Sequence, residues 1–166
     1  MEINFDIQGH LKPYELIEMN KQDFEATFVL AFEETSSRAK LFETFQTYIS
    51  DLIRVIGTNF YIWVDGSFVT TKRNPNDIDI VTFIPDSLFY QFENELIPFS
   101  KYGIKEHYGM GLDGYLVVVY AKEHAKNVFT ESDEKYWLNQ FSYSRRNRQG
   151  KKYAKGFIKL SFTQNS

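Results

Sequence analysis

From residue 41 to residue 56 the apolar side chains recur at three- and four-residue steps: Leu41, Phe42, Phe45, Tyr48, Ile49, Leu52, Ile53 and Ile56. That spacing predicts an amphipathic helix with one face on a core. Ser36 and Ser37 offer its N-cap and Gly57 suits its C-terminus, so the helix is expected over 36–57. Nothing along it asks for a functional role. Residues 23–33 read as a shorter helix with Asp23 as cap, and 1–22, with Gly9 and Pro13, as an arm or loop. Apolar runs predict strands over 60–64 and 78–84, the second ended by Pro85. Leu88, Phe89, Phe92 and Leu96 predict a helix over 87–97, stopped by Pro98. An almost unbroken apolar run predicts a buried strand over 115–120. A helix over 134–141 and an alternating strand over 157–162 complete the chain. Strands interleaved with helices give an α/β (α+β) fold, a mixed sheet flanked by helices. At 166 residues the expectation is one domain, 1–166: the arm, the long helix, a core over 60–120, and a C-terminal helix, basic loop and strand over 133–162.

The chemistry concentrates between the first two of these strands. The run Tyr61 to Val64 leads through Asp65 into Gly66-Ser67, and the next strand opens with Asp77-Ile78-Asp79. In extended backbone, residues i and i+2 share a face, so Asp77 and Asp79 project together while Ile78 and Ile80 face the other way. Two adjacent carboxylates repel each other unless a cation neutralises them. A divalent metal is the economical answer, and hard oxygen ligands suit Mg²⁺, which commonly takes one or two carboxylates plus substrate phosphates. Either half of the pattern has a plain alternative: Gly-Ser is a common turn pair, and Asp-Ile-Asp can be a solvated edge strand.

Taken together, apolar strand, Gly-Ser, a short spacer and acid-apolar-acid on the next strand resemble the signature of the nucleotidyltransferase superfamily, which includes polymerase beta and the minimal nucleotidyltransferases. Gly66, Ser67, Asp77 and Asp79 match it position by position. The resemblance implies a Gly-Ser turn at a helix start that holds a nucleoside triphosphate, with Lys72 in the spacer among the nucleotide-binding residues. It implies Mg²⁺ (or Mn²⁺) on Asp77 and Asp79. Unpaired N–H groups at a helix start suit phosphate, and glycine admits close approach. Gly9, Leu11 and Pro13, Arg38 and Leu41, Tyr136, Trp137 and Phe141, the arginine cluster, and Lys155-Gly156 resemble, in that order, an uncharacterised bacterial family of short nucleotidyltransferase-like proteins.

Active superfamily members place a third carboxylate on a later strand. The strand over 115–120 contains no acid; Asp113 just precedes it, on the face of Tyr115 and Val117 if the strand extends back through Gly114. Asp113 is equally a turn residue in Gly-Leu-Asp-Gly. Residues 145–155 hold Arg145, Arg146, Arg148, Lys151, Lys152 and Lys155 and no acid; the whole chain carries −3, so the rest carries −9. Such a balance excludes polyanion binding over the whole surface and leaves two readings of this segment, a solvated loop or a phosphate or RNA clamp through Arg145, Arg146, Arg148, Lys151 and Lys155.

The chain contains no cysteine, which removes disulfides, thiol catalysis and cysteine-ligated zinc. His10, His107 and His124 lack ligand spacing, and Trp63 and Trp137 read as core or cover. The acidic N-terminus lacks a signal-peptide pattern and no run reaches membrane-spanning length, so a cytoplasmic protein is expected. The expected function is binding of a Mg-nucleoside triphosphate, with transfer of a nucleoside monophosphate to a hydroxyl where Asp113 completes the site. Two alternatives stand beside it. One is an inactive regulatory module of a toxin–antitoxin or phage-defence pair, with a helical toxin or an acceptor protein as partner. The other is a small-molecule nucleotidyltransferase of the aminoglycoside type.

Overall fold

The computed structural model describes residues 3–163. Its centre is a five-stranded mixed sheet. In chain order the elements are β1 (Asn4–Phe5), β2 (Leu11–Lys12), β3 (Leu16–Glu18), α1 (Lys21–Glu25), α2 (Arg38–Ile56), β4 (Phe60–Asp65), β5 (Ile78–Pro85), α3 (Asp86–Gln91), α4 (Ile104–Tyr108), β6 (Leu112–Val119), α5 (Asn127–Phe141) and β7 (Phe157–Phe162). The strand order is β3-β7-β4-β5-β6. β4 pairs antiparallel with both β5 and β7, while β3 with β7 and β5 with β6 are parallel.

Alternation along the strands divides the sheet into two faces. Ile62, Val64, Ile78, Ile80, Ile158 and Leu160 join the α2 residues Phe45, Ile49 and Leu52 in the larger core. Trp63, Val81, Phe83, Val117 and Phe157 face the other way, against Trp137 and Phe141 of α5. The predicted apolar face of α2 is the buried one.

Several boundaries differ from the sequence expectation. The arm 1–22 contains the β1–β2 ribbon and β3, an edge strand of the main sheet, because β7 offers a free edge for parallel pairing. The helix expected over 23–33 is α1 continued by a π-helical turn, Ala26–Leu30. The helix expected over 87–97 stops at Gln91, and a 3-10 turn over Ile97–Phe99 contains Pro98. α5 begins at Asn127 rather than 134. The apolar run expected over 115–120 lies, up to Val119, in a sheet-edge strand that starts at Leu112. Gly114 does not loosen it: a Cβ there would stand 2.6 Å from Ile104 Cδ1 and 2.9 Å from Ile80 Cγ1, so glycine lets α4 pack close to the strand. Among the described residues no helix is long and apolar enough to cross a membrane.

Candidate functional site

Sheet register brings together acids that lie far apart in the chain. Asp79 on β5 pairs with Asp65 on β4 and with Asp113 on β6. Directly paired residues share a face, so Asp65, Asp79 and Asp113 form a row across three strands on the α5 side. Asp77, half-buried just before β5, adds a fourth carboxylate. Burial first, then the charges of Asp77 and Asp65, and to a smaller extent Asp113, push the Asp79 carboxyl up to about 6; Arg145 opposes the shift.

The four acids are not equivalent. Asp65 is buried and ion-paired with the buried Lys155 through Oδ1. Burial holds its carboxyl above the usual range, although Lys155, the Gly66 N–H and Arg145 all pull it down. Asp113 accepts a 2.5 Å hydrogen bond from Lys101 Nζ, and Lys105 Nζ lies 4.0 Å away. Asp77 and Asp79 have no ion-pair partner among the described residues. Asp65 and Asp113 thus carry internal ammonium groups, and the two acids of the Asp-Ile-Asp motif carry none among the described residues.

Gly66 closes the site from β4. Its φ is +82°, and a Cβ there would stand 1.9 Å from Asp79 Oδ2. Only glycine lets the turn lie against that carboxylate. Ser67 is half-buried and its hydroxyl engages no other described residue. The expected helix after Gly-Ser is a single 3-10 turn, Ser67–Val69, with no side-chain cap. The turn is too short to carry a macrodipole, so an anion placed there would meet only individual N–H groups and the serine hydroxyl.

Arg38, at the start of α2, entered the sequence reading only as part of the family resemblance, with no role attached; the structure makes it a brace. Its guanidinium is buried and donates to the carbonyls of Phe28, Phe68, Thr70 and Lys72 at 2.6 to 2.8 Å. It also stacks over Phe32, 3.7 Å from the ring centroid. Desolvation lowers its pKa to about 10. A planar five-donor fork can satisfy several carbonyls at once, which fixes the loop that follows Gly66-Ser67. Ser37 ties the same helix start to the spacer, donating through Oγ to the Pro75 carbonyl at 2.6 Å. Lys72, expected near nucleotide, is exposed, and it is its carbonyl that the structure uses.

The basic segment divides as well. Lys155 turns inward to Asp65, and Arg145 lies close enough to Asp65 and Asp79 to lower both. Lys155 is therefore a counter-ion within the row rather than a surface anion contact, because β7 begins just after it and draws it into the core. Arg146, Arg148, Lys151 and Lys152 stay outside, exposed. On the same face as the acids, Leu16, Tyr61, Trp63, Leu138 and Lys159 help to line a cavity of about 390 Å³. The indole N–H of Trp63 is buried without a partner.

The donor set fits a hard divalent ion held by two carboxylates and completed by phosphate oxygens or water. It does not form a closed protein cage: among the described residues no group of three or more carboxylate or imidazole side chains is arranged to hold a metal. Asp113 and Asp65 are instead paired with Lys101 and Lys155. Asp65 and Lys101 had no legible signal, because only the register shows that Asp65 and Asp113 flank Asp79.

Compared with known proteins, residues 3–161 match a family of unknown function, DUF6932, and the chain belongs to that family. Comparison with curated proteins and with solved structures finds no match.

Proposed function

We propose that this DUF6932 protein binds a nucleoside triphosphate together with Mg²⁺ or Mn²⁺. Asp77 and Asp79 would hold the ion, and Gly66 and Ser67 would hold the phosphates. The observation that carries this reading is the pair of carboxylates without internal counter-ions, one of which, Asp79, lies against a glycine whose Cβ would collide with it. An ion at this position would screen negative charge on the phosphoryl group and on the leaving pyrophosphate. Arg38 keeps the phosphate-facing loop in one conformation, and Arg145 supplies positive charge beside the row.

Transfer of a nucleoside monophosphate to a hydroxyl needs one step more from the chain. Asp113 stands in register to receive a proton from an attacking hydroxyl or to share the ion, but Lys101 holds it. Release of Lys101 would make the row a transferase site. With Lys101 in place, the reading is a triphosphate-binding module without turnover, as a regulatory half of a two-protein pair would be. The Lys101–Asp113 and Lys155–Asp65 pairs favour this second reading.

Titration calorimetry with ATP, GTP, CTP and UTP, with and without Mg²⁺, tests the binding claim. Metal-dependent binding of at least one nucleotide, lost in Asp77→Asn/Asp79→Asn, is expected. Binding of none would refute it.

A further inference from the structure

The basic run that follows α5 is a folded hairpin. Tyr143 and Ala154 pair as an antiparallel bridge. The Ser144 N–H donates to the Tyr153 carbonyl at 2.8 Å, and Tyr153 N–H to Ser144 Oγ at 3.0 Å. Asn147 Oδ1 accepts from the N–H groups of Gln149 and Lys151, closing the tip. Arg146 Nη1 donates to the Gly150 carbonyl at 2.7 Å and so holds the tip from one side. These bonds give the segment a fixed shape, which a merely solvated loop does not require.

Its base and its tip carry different charge. At the base, Lys155 and Arg145 sit at the acid row. Beyond them Arg146, Arg148, Lys151 and Lys152 are exposed, and none has a carboxylate partner among the described residues. The rest of this chain is strongly acidic, so unpaired cations gathered on one hairpin are a local anion site in a repelling surround. Aromatic rings interleave with them. Tyr143 is exposed, Lys151 lies over the Tyr153 ring at 4.8 Å, and His10 stands 5.8 Å from the same ring. Cations that follow a backbone, together with rings on which bases stack, are the means by which proteins hold single strands without reading sequence. An acidic protein partner would use the cations and leave the rings idle.

We propose that the hairpin 143–154 is a docking surface for single-stranded polynucleotide, oriented so that one end of the strand reaches the acid row. The surface stands independently of the triphosphate reading. Its role as the place where a hydroxyl-bearing acceptor strand docks rests on that reading.

Fluorescence anisotropy with a labelled twelve-nucleotide oligouridylate tests it on the full chain, at low and at physiological salt. The variant is Arg148→Ala/Lys151→Ala/Lys152→Ala, which leaves Arg146 to hold the tip. Binding at low salt is expected, weakened at least tenfold in the triple variant. Three lost phosphate contacts should make the log–log salt slope shallower by about 2, at ~0.7 per contact for single strands. Asp77→Asn/Asp79→Asn should bind the oligonucleotide undiminished while losing metal-dependent triphosphate binding, so the two claims fail separately. No binding at low salt, or equal affinity in the triple variant, overturns the proposal. Equal affinity for duplex RNA or for polyglutamate also overturns it, by removing the strand or the nucleic acid from the assignment.

Discussion

Asp79 holds an uncomfortable charge, half-buried and beside other carboxylates. Its carboxyl titrates at about 6, against 3.8 for the unperturbed group. A carboxyl whose folded pKa lies above its unfolded value binds protons more tightly in the native state. The stability from that preference is fully present below about pH 4 and is lost as the pH rises through about 6. The difference amounts to about 3 kcal/mol, at ~1.4 kcal/mol per pKa unit. Asp79→Asn should therefore stabilise the metal-free protein at pH 8 by roughly 2 kcal/mol and leave it nearly unchanged at pH 4, by urea denaturation. A less stable variant at pH 8 would mean that the carboxylate is structurally paired. Arg38 is the opposite case, a buried charge satisfied by four backbone carbonyls. Arg38→Met should cost about 3 kcal/mol or more by the same measurement, since the carbonyls lose their donors. Arg38→Lys should recover only part of this, because an ammonium lacks the planar fork.

At the scale of elements, β6 decides what the acid row can do. It starts at Leu112, so Asp113 pairs with Asp79, and Lys101 from the preceding turn takes up its charge. Lys101→Met removes that counter-ion and should tighten Mn²⁺ binding by about 1 kcal/mol, on the order of fivefold, by calorimetry. Weaker binding in this variant would place Asp113 outside the metal's reach. The same strand shows where sequence reading ran out. The apolar run over 115–120 was legible, but its start was not, because Gly114 resembles a turn until the packing of Ile80 and Ile104 against it is known. α2 was legible almost to the residue, since 3.6-residue periodicity over five turns has no competing reading. β3 was not, because a three-residue edge strand acquires its identity from β7, more than a hundred positions away. In the site, Gly66, Ser67, Asp77 and Asp79 were marked by local spacing. Asp65, Lys101 and the bracing by Arg38 depend on contacts between distant segments, which no local pattern encodes.

Over the whole molecule, charge is arranged in opposition. The row of three paired aspartates and the adjoining Asp77 lie in an acidic body, and the basic segment 145–155 brings Arg145 and Lys155 to them while presenting four cations outward. The sheet fixes the acids, Arg38 fixes the loop beside them, and the ammonium groups of Lys101 and Lys155 leave one carboxylate pair without a counter-ion. A cation bound there should relieve the repulsion in that arrangement and raise the melting temperature, the rise growing with the logarithm of the free cation concentration once it exceeds Kd. On the proposed reading this pair, and no other, receives a metal together with a triphosphate. A crystal structure with Mn²⁺ and a non-hydrolysable nucleoside triphosphate tests it most directly, because manganese can be located by its anomalous scattering. One manganese on Asp77 and Asp79 is expected, with the phosphates against Gly66 and Ser67 and the Lys101–Asp113 pair intact. Manganese elsewhere, or triphosphate bound away from Gly66 and Ser67, would contradict it.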